Sequence, residues 1–185
     1  MKRTIGLIFG LFCCFLAMAQ IESEGTPTRF YNPAPTRLRS ANSFFQTIKV
    51  DTTQALVSTQ KALAIGHVVA VHYNIHTHGC WEIANNGNKI WRMGMVSKGA
   101  KSMSIILGEL DIPDGAKIFV YNPTQTQVLG AFGSENRNEQ GILPIRPLLG
   151  DSLIIEYQEP AQAAYNGSFC IEKVAHNRAT NTFNS

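Results

Sequence analysis

WRMGMVSKGAKSMSIILGELDIPDGAKIFVY, Trp91 to Tyr121, decides the fold class of this chain. Trp91–Val96 is apolar but for Arg92 and stops at Ser97-Lys98-Gly99. Met103, Ile105 and Leu107 then alternate with small or polar neighbours, Pro113-Asp114-Gly115 is a turn, and Lys117-Ile118-Phe119-Val120-Tyr121 follows it. A repeat of two residues between turn signals is the mark of short strands, since alternate side chains share one face of a sheet.

The same grammar extends in both directions. Strands begin near Val68. Asn122-Pro123 makes another turn, ahead of a strand from Gln127 to Phe132. Gly150-Asp151 opens Ser152–Tyr157, in which Leu153, Ile155 and Tyr157 share a face, and Asn166-Gly167 opens Ser168–Val174. There is no internal repeat. Strands of this length and spacing predict an all-β, antiparallel β-sandwich of jelly-roll-like form over residues 67–178, with a short tail over 179–185.

Upstream the composition changes. MKRTIGLIFGLFCCFLAMAQ has a basic start, an apolar run and a small-x-small end at Ala17-Met18-Ala19. That layout predicts a secretory signal peptide over residues 1–19, cut after Ala19, which removes Cys13 and Cys14. The apolar run is short for a membrane span, and no other stretch could serve as one. The expected location is therefore secreted or periplasmic. Residues 20–66 read as an extended lead-in, rich in Pro, Thr, Ser and Arg as far as about Ser43. A short helix is expected within it, capped at Asp51-Thr52-Thr53 and running through QALVSTQKALAI.

The full chain of 185 residues is 44% hydrophobic and 16% charged, with a formal charge of +3. Setting aside Lys2 and Arg3 leaves 14 basic residues against 13 acidic ones. So balanced a chain points to neither nucleic acid nor an anionic membrane.

Cys80 and Cys170 remain after signal removal. In an oxidising compartment they could form a disulfide. Alternatively they are two free thiols, buried or facing different sheets.

VHYNIHTHGCWEI, Val71 to Ile83, holds three of the five histidines. Read as a strand, it points His72, Asn74, His76 and His78 to one side. His76 and His78 would then lie about 6.6 Å apart and could share a zinc ion, with Cys80, Glu82 or a remote group as third ligand. His72, roughly 13 Å from His76, could not join them without a bend. The plainer reading is a polar sheet face. A Cys80–His78 nucleophile pair would need close approach and an activating environment that the sequence does not supply.

Gly150-Asp151-Ser152-Leu153 spells the GDSL element of certain hydrolases. A nucleophilic serine needs a base and an oxyanion hole. Ser152 instead starts a well-patterned strand, and downstream there is a single histidine, His176, with no Asp three residues before it. Gly150-Asp151 is read as the turn and Ser152 as the first strand residue.

A series of motifs then carries a family resemblance. They are Trp91-Arg92, Ser97-Lys98-Gly99-Ala100, Ile112-Pro113-Asp114-Gly115-Ala116 and Phe119-Val120-Tyr121-Asn122-Pro123. The series continues through Val128–Phe132, Gly150–Tyr157, Pro160 and Ile171–His176, and upstream it includes Gln20-Ile21 and Gly25-Thr26-Pro27. In this order they resemble the non-catalytic N-terminal region of secreted lysyl-endopeptidase-like serine proteases, especially those of Bacteroidota. The resemblance implies a pre-catalytic, propeptide-like β-sandwich and no catalytic residue. In that family the trypsin-like domain begins soon after the segment that His176 ends, and its histidine, aspartate and serine have no counterparts in this sequence. Such a region could assist folding, shield a protease or contact its targets. The expected protein is thus not an enzyme and carries no cofactor, with a protease, a surface protein or a glycan as partner. The alternatives are a carbohydrate- or protein-binding module, for which Trp81 is the candidate aromatic platform because Trp91 alternates into the core, and a zinc binder built on His76 and His78.

Overall fold

The computed structural model describes residues 25–27, 45–49 and 66–178. Among these residues ten strands run in chain order: β1 Phe45–Thr47, β2 Gly66–Asn74, β3 Cys80–Ile83, β4 Lys89–Val96, β5 Ser102–Asp111, β6 Lys117–Tyr121, β7 Val128–Phe132, β8 Leu143–Leu149, β9 Ser152–Glu159 and β10 Ser168–Asn177. They form two packed sheets, and the chain is the β-sandwich its periodicity predicts. One sheet is ordered β2-β10-β5-β8; the other runs β4-β9-β6-β7, with β1 and β3 both on the outer edge of β4. The antiparallel pairs are nested: β2 with β10, β4 with β9, β5 with β8 and β6 with β7. One pair departs from the antiparallel expectation, since β1 lies parallel to β4, Phe45 opposite Gly94. The expected signal peptide, lead-in helix and tail fall outside the described residues. Among those residues no helix is long and apolar enough to cross a membrane.

Alternation builds the core. Trp91, Met93 and Met95 on β4, Leu153, Ile155 and Tyr157 on β9, and Ile118 and Val120 on β6 face inward and are sealed from solvent. Phe169 on β10 meets Trp91 and Tyr157 edge-on, at ring-centroid distances of 5.5 and 5.6 Å. Those offset contacts lock the two sheets together across the dry layer.

β6 reads Ile118-Phe119-Val120-Tyr121 without alternation because both of its faces are covered. On the outer side Phe119, Tyr121, Ala131 and Ile154 form a second buried cluster. The described piece of the lead-in lies against it. The carbonyl of Thr26 accepts from Gln158 Nε2 at 3.1 Å, Pro27 is buried, and a side chain at Gly25 would press on Lys117 and Phe119.

β8 carries Pro144 and Pro147, residues that read as turn signals. It is the edge of its sheet, where a missing N–H costs no ladder bond.

Candidate functional site

The histidine-rich stretch does not continue as one strand. β2 ends at Asn74, whose side-chain oxygen accepts the His76 N–H at 2.8 Å, and its carbonyl accepts from the backbone of Thr77 and His78. The chain therefore turns through residues 75–79 before β3 starts. Gly79 (φ +74°) completes the turn against Trp91; a Cβ there would lie 2.6 Å from the Arg92 carbonyl oxygen. Strand alternation thus does not set His76 beside His78. His78 packs its ring edge-on to Tyr73, its Nδ1 lies 2.9 Å from Thr77 Oγ1, and its carbonyl accepts from Trp91 Nε1 at 2.7 Å. It serves the turn.

Cys80 and Cys170 are not bonded to each other. Cys80 packs beside the outer cluster of the six-stranded sheet, whereas Cys170 lies on β10 in the other sheet. A bridge would have to pass through the sandwich, so no disulfide joins them. Trp81 keeps 41% of its surface exposed. Its indole N–H donates to the Ile75 carbonyl at 3.0 Å and its ring meets Tyr157 edge-on at 6.1 Å, which fixes its orientation.

Three polar constellations escaped the sequence reading. The first pairs Ser97 Oγ with His176 Nδ1 at 2.7 Å. Both are buried, Ser97 fully. Burial, with Arg178 and His67 nearby, holds the His176 imidazole below its usual range and so neutral. No substrate carbonyl reaches a sealed hydroxyl, and the pair acts as a tie between the end of β4 and β10. Ser152, the other serine of interest, donates to Asp151 at 2.8 Å and opens β9 as expected.

The second constellation is charged. Glu156 on β9 is fully buried on the outer side of the six-stranded sheet. It accepts from Arg92 Nε at 2.8 Å, from Gln158 Nε2 at 2.8 Å and from Tyr121 OH at 3.1 Å. Arg92 also bonds Glu82 on β3. Burial works against the guanidinium charge, yet the two carboxylates outweigh it and raise Arg92 above its ordinary value. Gln158 bonds both Glu156 and Thr26, so the lead-in rests on this network.

The third lies on the outer side of the four-stranded sheet, where Cys170 is fully buried and His72 is exposed. Cys170 Sγ is 3.1 Å from His72 Nδ1. Burial raises the Cys170 thiol, Glu109 and Glu172 raise it further, and the backbone of Tyr73 opposes them. The thiol is therefore held protonated, the wrong state for a nucleophile. Ninety-eight positions separate the two residues. Only pairing of β2 with β10 brings them together, and no local motif records it.

Among the described residues β2 is an edge strand. It pairs with β10 on one side, and no described strand pairs with the other. Its nine residues, GHVVAVHYN, include no Pro, Lys, Arg, Asp or Glu. Val69, Val71 and Tyr73 pack on the core, while Val68, Ala70 and His72 form an exposed row, Val68 at 66%. Comparison with protein-family models, with curated proteins and with solved structures found no match.

Proposed function

We propose that this chain is a secreted or periplasmic, non-catalytic β-sandwich that binds a partner protein by adding a strand along β2, in the manner of a pre-catalytic region serving a lysyl-endopeptidase-like serine protease. The observation that carries the reading is an edge strand, among the described residues, without proline or charge. Sheet edges are ordinarily blunted with proline, lysine or a bulge, because their free N–H and C=O groups recruit any extended chain. β8, the opposite edge, has Pro144, Arg146 and Pro147. β2 has no proline or charged residue, although its pairing with β10 shifts register between Tyr73 and Ala70, and its outward side chains at Val68 and Ala70 are apolar. Such an edge suits an extended segment of a partner, whose main chain supplies affinity and whose alternate side chains supply specificity.

The resemblance supports the choice of partner. Its Ser97–Ala100, Ile112–Ala116 and Gly150-Asp151 pieces fall on connections, and Trp91-Arg92 and Phe119–Tyr121 fall on β4 and β6. The nested pairing supports the jelly-roll-like winding expected of the domain. The state of the nucleophiles supports a role other than catalysis: Ser97 is sealed, Ser152 is bonded to Asp151, and the Cys170 thiol is held protonated.

The test is calorimetric titration of the mature chain with a lysyl-endopeptidase-type catalytic domain, with amide exchange read on β2. Binding should slow exchange in β2, and Val68→Lys with Ala70→Lys should weaken it at least tenfold. Equal binding by the double variant, or no slowing in β2, overturns the strand-addition reading. A second reading, glycan binding at Trp81, rests on the fixed, half-exposed indole. It requires a sugar panel to give a hit that Trp81→Ala abolishes.

A further inference from the structure

We propose that His72, Cys170 and Glu172 form a binding site for a zinc-type divalent metal ion on the outer face of the four-stranded sheet. The argument begins with the donors. A thiolate and an imidazole are the ligands such ions favour, at about 2.3 Å for sulfur and 2.0–2.1 Å for nitrogen. Tetrahedral geometry then separates the two donors by about 3.6 Å. Cys170 Sγ and His72 Nδ1 stand 3.1 Å apart. The exposed His72 ring needs to swing back only about half an ångström to admit an ion between them.

The carboxylate comes from the same face of β10. β10 shifts register between Ile171 and Lys173 against both of its neighbours, β2 and β5. Alternation sets Glu172, two residues on, to the same outer side as Cys170, and the shift that follows keeps Lys173 outside as well before Val174 returns to the core. The Glu172 carboxylate lies over Gly108, where a Cβ would sit 1.9 Å from its Oε1. Gly108 is the register partner of Cys170 on β5. Glycine thus opens a slot beside the thiol, and the carboxylate fills it. Glu109 follows on β5 with φ +51°, a conformation that a non-glycine residue rarely takes, and its charge also reaches the thiol.

Among the described residues no three such side chains already stand at ligand distance from one another. The site as it stands has a preformed Cys–His pair and a carboxylate in the adjoining slot. Binding draws Glu172 off Gly108 toward Cys170. The Cys170 S–H gives its proton to solvent as the metal–sulfur bond forms, and the fourth position stays with water on the side of the exposed His72. The proposal is independent of strand addition along β2, since it uses the face of the sheet and not its edge.

The test titrates the reduced, metal-free mature chain with Co²⁺, then displaces it with Zn²⁺. The expected result is one ion per chain, a thiolate-to-cobalt charge-transfer band and tetrahedral visible absorption, both removed by zinc. Cys170→Ser should abolish the band, His72→Ala should weaken binding at least tenfold, and Glu172→Gln should weaken it by a smaller factor. Cys80→Ser and the His76→Ala/His78→Ala double variant should bind as the parent does. Zinc should raise the melting temperature of the parent and not of His72→Ala, an exposed substitution that leaves the fold intact. No band in the parent overturns the site. So does an undiminished band in His72→Ala, or one lost with Cys80 or with His76 and His78.

Discussion

Removing the charge partner of Glu156 should be among the most damaging single changes outside the apolar core. Arg92→Met keeps the length and the apolar stem of the side chain but deletes the guanidinium. Glu156, with no exposed surface, then retains the neutral donors Tyr121 and Gln158. Breaking a buried pair from one side costs about 3–5 kcal/mol, because an uncompensated charge is left behind. For a domain of this size 1 kcal/mol moves the melting temperature by roughly 2–4 °C, so the drop should fall between about 6 and 20 °C. Glu156→Gln in the same chain removes the stranded charge. The double variant should therefore be more stable than the sum of the two single losses, by about 1–3 kcal/mol. Urea unfolding followed by tryptophan fluorescence reads both, since Trp91 is sealed in the core and reports its opening. If Arg92→Met stays within about 0.5 kcal/mol of the parent, as a surface change would, the network is not a buried ion pair in solution and the packing of the lead-in over it is wrong.

The remaining predictions use the same melt. Gly79→Ala puts a Cβ 2.6 Å from the Arg92 carbonyl oxygen at a φ of +74°, and should cost at least about 1–3 kcal/mol. Trp91→Phe loses the bond to the His78 carbonyl and leaves a void, so about 2–3 kcal/mol is expected, with the 75–79 turn loosened in amide exchange. Glu159 supplies a pH dependence. Burial pushes its carboxyl up, but bonds from Lys89, the Gly167 N–H and Tyr157, with the Lys89 charge, hold it below its usual 4.5. The unfolded chain then takes the proton first. This contribution is fully present above pH 4.5 and is lost as pH falls through the folded value, so the acid limb of the urea midpoint should flatten in Glu159→Gln.

What the sequence could show was whatever depends on near neighbours. Lys117–Tyr121 is bounded by Pro113-Asp114-Gly115 and by Asn122-Pro123, and β6 has those limits. β9 and β10 start where Gly150-Asp151 and Asn166-Gly167 place them, although each runs past its expected end at Tyr157 and Val174. β8 was hidden because proline is read as punctuation, and only its position at an edge makes Pro144 and Pro147 tolerable. The strand reading of His76 and His78 failed for a local reason that carried little weight beside the histidine pattern: Asn74 can cap a turn with its own side chain, and it ends β2 two residues before His76. Glu156 alternates with Ile155 and Tyr157 as an ordinary outward residue would. Its burial depends on cover from another part of the chain, which periodicity cannot report.

The pairing of β2 with β10 explains why the chemistry sits where sequence inspection is weakest. In a nested sandwich the outermost pair joins the strands furthest apart along the chain, here His72 with Cys170. Each residue alone is unremarkable: one histidine among five, one thiol among four. Together they exist as a pair only when β2 and β10 have joined, and β10 is held by β5 as well. A ligand for that pair therefore binds the folded chain and not the unfolded one, and its binding energy adds to the stability of the whole sandwich. The same strand pair supplies the edge strand without proline or charge. A metal ion across β2 and β10 would stiffen the ladder on which an incoming strand must be templated, and a rigid template lowers the ordering cost of strand addition. Zinc should accordingly tighten partner binding in the parent and leave it unchanged in His72→Ala.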